Sequence, residues 1–113
     1  MSSYNRERNE STMHRLLSDI IMNKLNDRSL GFTTVTQVKI TRDYSYATVY
    51  VSFIGDGDVN AKLEILEKAK GLMRHELSQR MKIRRIPELV IKYDDTYEKA
   101  RRLDEIFKKI NED

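Results

Sequence analysis

The chain has 113 residues, of which 35% are charged and 39% are apolar, and its formal net charge is +3 at pH 7. This length and composition are typical of one water-soluble domain, so we expect residues 1–113 to form a single domain. No apolar run approaches the ~20 residues of a membrane-spanning helix. The chain has no cysteine, which excludes disulfide frameworks and thiolate chemistry. Residues 1–7 lack the apolar segment of a secretory signal, so we expect a cytoplasmic protein.

Apolar residues recur at helical spacing between Asn9 and Lys24, which predicts a first helix over this range. The polar stretch 26–31 ends in a glycine and predicts a turn after the helix.

Two segments of alternating polarity follow and predict an antiparallel hairpin. In the first strand, alternation predicts that Thr36, Val38 and Ile40 face the core. Residues 42–45 make the connection between the strands. In the second strand, the residues expected to face inward are Ala47, Val49, Val51 and Phe53.

A long amphipathic helical element comes next. Asp58 can cap its start, and Pro87 cannot lie inside a helix. Gly71 stands in its middle and costs a helix about 1 kcal/mol relative to alanine. We therefore predict a break at Ala69-Lys70-Gly71 that divides the element into two helices. The apolar side of the element consists of Leu63, Leu66, Ala69, Met73, Leu77 and Met81.

Residues 88–93 alternate again and predict a third strand, after which the chain ends in an amphipathic helix. Asp95 and Glu98 form a predicted capping pair for this helix. Its apolar positions are Ala100, Leu103, Ile106, Phe107 and Ile110. The complete order is helix, strand, strand, helix, helix, strand, helix. It predicts an α+β two-layer sandwich, with helices covering the apolar face of a three-stranded sheet.

Positive charge is concentrated between Lys68 and Arg85. This window holds seven basic residues and one acidic residue, Glu76, whereas the whole chain carries only +3. A concentrated basic surface usually attracts an extended polyanion, most often nucleic acid. The alternative for each residue is an exposed charge that only aids solubility. The predicted phosphate-contacting residues are Lys68, Lys70, Arg74, Arg80, Lys82, Arg84 and Arg85.

Other residues allow two interpretations each. Gly71, with Ala69, either lets the helical element bend towards an RNA backbone or is tolerated where two helices pack closely. Arg42 lies beside Asp43 in the hairpin connection and either pairs with that carboxylate or makes a second RNA contact. Three tyrosines either stack on unpaired bases or pack on the sheet, namely Tyr44, Tyr46 and Tyr50.

The sequence offers little for catalysis. The only two histidines, His14 and His75, lie on different predicted elements, so no His-x-x-x-His metal site exists. Asp56-Gly57-Asp58 lacks the rest of a calcium-binding loop and is better explained as turn and cap. We therefore predict that the protein is not an enzyme and needs neither a metal nor a cofactor.

The order of elements resembles a type II K-homology (KH) domain followed by an extra helix. Such domains usually carry a Gly-x-x-Gly loop between their central helices, where this chain has Ala69-Lys70-Gly71. Segments 35–53, 83–89 and 93–95 resemble the bacterial ribosome-binding factor A family. The resemblance covers about residues 6–110.

The resemblance implies a factor that assists maturation of the small ribosomal subunit and processing of its rRNA, and that supports growth in the cold. It implies that the partners are the immature small subunit and its rRNA. A GTPase as release partner follows by analogy only. We also expect a monomer that does not associate with membranes. The rival hypothesis is a protein-interaction module whose basic face binds an acidic partner protein.

Overall fold

The computed structural model describes residues 3–25, 27–55 and 57–111. Within these residues the helices are α1 (Ser3–Ile20), α2 (Val59–Lys68), α3 (Lys70–Arg80) and α4 (Thr96–Asn111), and the strands are β1 (Phe32–Ile40), β2 (Tyr46–Ile54) and β3 (Glu88–Tyr93). The predicted α+β class and the predicted order of elements are confirmed. Among the described helices, none is both long and apolar enough to cross a membrane.

The sheet has β2 at its centre. β1 pairs with β2 in antiparallel orientation and β3 pairs with β2 in parallel orientation. Val49 of β2 lies opposite both Val38 and Ile91, so inward positions of the three strands align. The parallel pair requires a crossover connection, which α2 and α3 supply.

The hydrophobic core lies between the helices and one face of the sheet. The inward residues predicted for β2 are confirmed, since Ala47, Val49 and Val51 are buried and Phe53 packs against the core. The largest fully buried side chains include Met13, Leu17, Ile20, Leu66, Met73, Leu77 and Leu89. The other face of the sheet, which we call the outer face, points to solvent.

A β-bulge in β1 changes the inward residues of that strand. The register shifts between Val35 and Gln37, so Thr36 is the extra residue. The prediction that Thr36 faces the core is wrong, because the extra residue displaces the alternation by one position. Val35 is buried in its place, whereas Val38 and Ile40 are buried as predicted.

The first helix begins at Ser3, earlier than the predicted start at Asn9, and continues through a π-helical turn at Ile21–Leu25. Its polar first half is held by a long-range contact, because the carboxylate of Glu10 accepts a 2.7 Å hydrogen bond from the backbone N–H of Ile40. Apolar periodicity does not detect such a contact. The predicted start was therefore too late.

Two predicted turns include a residue outside the described part of the chain, Asn26 in one and Asp56 in the other. Beside Asn26, the carboxylate of Asp27 caps a short 3₁₀ turn. Beside Asp56, the carboxylate of Asp58 accepts a 2.9 Å hydrogen bond from the backbone N–H of Asn60 and caps α2. The predicted cap at Asp58 is confirmed.

The first turn of α4 is tied to the sheet through Asp94. Its carboxylate accepts hydrogen bonds from the Thr36 hydroxyl at 2.6 Å and from the Thr96 backbone N–H at 3.0 Å. The first of these hydrogen bonds is the main reason that the pKa of Asp94 lies below its usual value. The predicted capping pair is therefore wrong in detail: Asp94 caps the helix instead of Asp95, and Glu98 accepts from the Tyr93 hydroxyl at 2.7 Å.

The rest of α4 is exposed. Its predicted apolar stripe forms one side of the helix, yet Leu103, Ile106, Phe107 and Ile110 are 54–63% exposed. Periodicity predicted the helix and its apolar side correctly. Periodicity did not show whether another element covers the apolar side of α4. In the structure, other elements already cover the core face of the sheet.

The predicted break between the two central helices lies at Ala69, which has φ −90° and ψ 0° between α2 and α3. Gly71 lies in the first turn of α3, and a Cβ added there would meet nothing within 4 Å. Close packing of two helices within the described chain therefore does not require this glycine. That the break presents Lys70 and nearby amides to RNA stays a prediction.

Replacement of Gly71 by alanine should raise the free energy of unfolding by up to about 1 kcal/mol, since alanine is the better helix former and has open space. Gly55 is the matched control, because its Cβ would also meet nothing within 4 Å but its φ is +105°. Gly55→Ala should lower the free energy of unfolding by about 1 to 2 kcal/mol. Urea denaturation measures both, and a loss of stability in Gly71→Ala would contradict the helical assignment.

Candidate nucleic-acid interface

The structure separates the predicted phosphate-contacting residues into two groups. Members of the first group belong to α2 and α3 and have partners within the chain; they are Lys68, Lys70, Arg74 and Arg80. Members of the second group lie after α3, together with one residue of the β1–β2 connection, and line a common cleft; they are Arg42, Lys82, Arg84 and Arg85.

The two lysines at the α2–α3 junction form surface ion pairs. Lys68 Nζ lies 3.5 Å from Glu64 Oε1, and Lys70 Nζ lies 2.6 Å from Glu67 Oε2. Exposed pairs of this kind contribute only about 0–1 kcal/mol. Both lysines can therefore exchange a glutamate for another anion at low cost.

Arg80 joins α3 to α1. Its guanidinium lies 2.6 Å from the Asp19 carboxylate and 3.4 Å from that of Glu76. The hydrogen bond between Arg80 and Asp19 is the main cause that lowers the pKa of Asp19 and raises the pKa of Arg80. Contact with a phosphate would require Arg80 to leave two carboxylates, so its position favours a role within the fold.

Arg74 holds the segment between α3 and β3 in place. Its guanidinium donates hydrogen bonds to the carbonyl oxygens of Ile86, at 2.9 Å, and Pro87, at 3.2 Å. Both carbonyls belong to residues that lie between α3 and β3, outside any helix or strand. Arg74 thereby positions the neighbouring residues 82–85 relative to α3.

A cleft of about 580 Å³ lies where three segments meet. One wall is the first half of α1, the second is the turn at residues 42–44, and the third is the segment 82–85. We call this site the basic cleft. The side chains on its α1 wall are Asn5, Arg8, Asn9 and Thr12.

The basic cleft is strongly positive. Its described lining holds five cations, namely the four residues of the second group and Arg8, and one acidic residue, Asp43. Arg42 forms no ion pair among the described residues, and the same holds for Lys82, Arg84 and Arg85. These four side chains are exposed. The site therefore has positive charge that the described chain does not neutralise.

Asp43 does not pair with Arg42, so the predicted ion-pair alternative is wrong. Its carboxylate Oδ1 accepts hydrogen bonds from the Thr41 hydroxyl, at 2.9 Å, and from the Ser45 backbone N–H, at 3.0 Å. The backbone hydrogen bond from Ser45 is the largest cause of a lowered pKa at Asp43. Arg42 is left to face the basic cleft.

Tyr44 fixes the β1–β2 turn against α1. Its backbone is left-handed, with φ 61°, its side chain is buried, and its hydroxyl accepts a 2.9 Å hydrogen bond from Asn9 Nδ2. Tyr44 therefore packs and cannot stack on a base. The outer face of the sheet carries Tyr46, which is 49% exposed, and Tyr50, which is half-buried, so base stacking by these two stays a prediction.

The polar part of the α1 wall does not follow from the apolar periodicity or the charge of the sequence. Asn5, Asn9 and Thr12 are four and three residues apart, which places them on one side of a helix. This spacing could have indicated the polar wall, but only if the helix is known to begin before Asn5. The structure describes no group of three histidine or carboxylate residues arranged to hold a metal ion.

The chain matches the family model described as ribosome-binding factor A over residues 5–107. The chain belongs to this family. It is 41% identical to ribosome-binding factor A of Pelobacter propionicus over 105 residues, which cover 92% of this chain and 86% of that protein. It is 38% identical to the Staphylococcus carnosus protein of the same name over 112 residues, covering 98% and 97% of the two chains.

Solved structures of the family share the fold. The crystal structure of ribosome-binding factor A from Thermus thermophilus superposes with a TM-score of 0.72 at 27% identity, covering 78% of this chain and 93% of that one. The solution structure of a putative ribosome binding factor A from Thermotoga maritima gives 0.70 at 30% identity, with 81% and 89% covered. A homology model of the Thermus thermophilus protein, fitted into the cryo-EM map of a complex of 30S with ribosome binding factor A, gives 0.66 at 28% identity, with 76% and 91% covered.

Asp43→Asn should weaken the turn at neutral pH, because a neutral amide oxygen accepts the two hydrogen bonds less strongly than a carboxylate. Since the folded-state pKa lies below the unfolded value of 3.8, the carboxylate stabilises the fold above that pH and loses its effect as the pH falls through the folded pKa. The stability difference between wild type and variant should therefore shrink below pH 3.8.

Urea denaturation at several pH values measures this difference. Asp104→Asn is the control, because Asp104 is exposed on α4 and has no hydrogen bond among the described residues. A difference for Asp43→Asn that stays constant with pH would contradict the assigned hydrogen bonds.

Proposed function

We propose that this protein binds the immature small ribosomal subunit through its rRNA and assists maturation of the subunit and processing of that rRNA, without catalysing a reaction. Membership of the ribosome-binding factor A family supports the proposal. The similarity to a Thermus protein whose coordinates were fitted into the map of a 30S complex supports it further.

The observation that carries the proposal is the unneutralised charge of the basic cleft. Arg42, Arg84 and Arg85 each present a planar guanidinium, which binds phosphate in bidentate geometry, and Lys82 adds a point charge. These residues come from two separate segments that the fold holds together. Such an arrangement suits a folded polyanion whose phosphates approach from more than one direction.

The α2–α3 junction offers a second contact. Lys68 and Lys70 can release their glutamate partners at low cost, and Gly71 leaves open space beside them. The predicted basic helix–kink–helix is thus retained as the flank of the interface. The proposal places the main phosphate contacts in the basic cleft, because most cations of the helix pair have partners inside the chain.

Binding of this kind acts by differential affinity. A factor that binds one conformation of an immature particle more tightly than others raises the population of that conformation. Release then requires a change in the particle, for which a GTPase partner is part of the proposal by family analogy. The proposal also includes a monomeric state, a cytoplasmic location and a role in growth in the cold.

Charge reversal in the basic cleft should weaken binding to small ribosomal subunits. We expect Arg84→Glu/Arg85→Glu to lower the affinity by about tenfold or more, because two attractive phosphate contacts become repulsive. Both side chains are exposed, so the fold should be unaffected. Co-sedimentation with purified immature small subunits at several protein concentrations gives the affinity.

The matched control carries the same change of charge elsewhere. Lys39→Glu/Lys92→Glu alters two exposed lysines on the outer face of the sheet and should bind as wild type does, apart from a small effect of net charge. Lys68→Glu/Lys70→Glu tests the α2–α3 junction separately. Equal binding by the cleft variant and the outer-face variant would refute the proposed interface.

The affinity should fall steeply with salt, since cations that neutralise phosphates release condensed counterions. Five cations in the basic cleft predict a slope of log K against log salt near −3 to −4 for unpaired RNA, at about −0.7 per phosphate. Arg84→Glu/Arg85→Glu should reduce the steepness by about 1.4. A filter-binding series across salt concentrations measures both slopes, and a slope near zero would favour a partner other than nucleic acid.

A further inference from the structure

The basic cleft contains uncharged hydrogen-bonding groups that phosphate contacts do not require. Asn5 and Thr12 lie on its α1 wall, and neither side chain makes a hydrogen bond within residues 3–25, 27–55 and 57–111. Asn9 uses Nδ2 for the Tyr44 hydroxyl, which leaves its carbonyl oxygen available. Together these groups offer both donors and acceptors, which is the pattern that the edge of a nucleobase requires.

The cleft also has an apolar part. Ile83 lines it between two cationic neighbours and also packs against the core. A surface that only follows a phosphate backbone has no need of such groups. Apolar walls with a few polar groups are typical of sites that enclose the base of a nucleotide.

We infer that the basic cleft takes one unpaired nucleotide of an RNA, with its base against Asn5, Thr12 and Ile83 and its flanking phosphates at the surrounding cations. This inference rests on the proposed function and names the substrate class of the same site. The volume of about 580 Å³ falls within the range of small-molecule pockets, about 300–1,000 Å³. A base within a duplex has its pairing edge occupied, so only an unpaired base can present that edge to the α1 wall.

The three walls are set before any ligand arrives. The Asn9–Tyr44 hydrogen bond fixes the turn against α1, and the Glu10–Ile40 contact holds the end of β1 to the same helix. Arg74 fixes the third wall through two carbonyl oxygens. Because these contacts hold the walls in place, binding of one nucleotide of the RNA requires little ordering of the protein.

The number of cations distinguishes an RNA strand from a nucleoside monophosphate. A phosphate monoester carries about −1.5 to −2 charges at neutral pH. Four cations without partners among the described residues, with Arg8 beside them, exceed that charge. They match a strand that passes through the site with phosphates on both sides of one extruded base.

Two blunt-ended RNA duplexes that differ by one bulged nucleotide test this inference, with fluorescence anisotropy at fixed salt as the measurement. The wild-type protein should bind the bulged duplex about tenfold more tightly than the fully paired one. Asn5→Ala/Thr12→Val should lose most of this preference and keep its affinity for the paired duplex, since it changes no charge. Asn5→Ala alone, at an exposed position, should lose part of the preference without any effect on thermal unfolding.

Gln79→Ala/Thr34→Val is the matched control, because both residues are exposed outside the basic cleft. It should keep the full preference. The inference is overturned if wild type shows no preference, or if Asn5→Ala/Thr12→Val retains it. Either result leaves the proposed function intact, because subunit binding by the Arg84→Glu/Arg85→Glu variant tests that separately. Failure to bind either duplex or small subunits overturns the proposed function and this inference together.

Nucleoside 5′-monophosphates added as competitors distinguish the two sources of the ligand. Each should displace the bulged duplex only at concentrations about a hundredfold or more above those at which the unlabelled duplex does, because it lacks the flanking phosphates. Displacement by one of them at the same concentration as the unlabelled duplex would assign the cleft to a free nucleotide and overturn its assignment to RNA.

Discussion

The hydrogen bond from Asn9 to the Tyr44 hydroxyl joins parts of the chain that are 35 residues apart. It fixes the left-handed turn between β1 and β2 to a helix whose exposed side is otherwise polar. Other connections between this region and α1 are the Glu10–Ile40 hydrogen bond and the core below. The basic cleft exists because this contact sets two of its walls at a defined distance, and because a buried hydroxyl is costly to leave without a partner.

The chain uses its cations in two ways. Arg74 and Arg80 act within the fold, one on backbone carbonyls and the other on carboxylates, and both lie on the helix that follows the junction. The cations after α3 lie where the backbone is neither helix nor strand, so their side chains are not directed by a regular element. The hydrogen bonds that Arg74 donates to backbone carbonyls hold that segment in place. One arginine inside the fold thus positions the arginines that face solvent.

The attachment of α4 to the sheet depends on a different set of hydrogen bonds. The bulge at Thr36 directs a hydroxyl towards Asp94, and Asp94 caps α4. The bulge in the edge strand β1 therefore helps to attach α4 to the sheet. This contact forms although β2 lies between β1 and β3, the strand that leads into α4. Beyond this attachment the apolar stripe of α4 stays exposed in the described chain. Local hydrogen bonds set where α4 begins, and packing does not cover the rest of it.

The sequence by itself determined the order of elements, the inward side of β2, the cap at Asp58 and the concentration of positive charge before Pro87, because periodicity, capping and charge are local properties. Only the tertiary structure decided which cations are free to bind, since the partners of Arg80 and Arg74 lie on other segments. It also decided the bulge and the early start of α1, because both depend on contacts between residues distant in the chain. The sequence shows how many positive charges the chain carries. It does not show the basic cleft, because the three walls of the cleft meet only after folding.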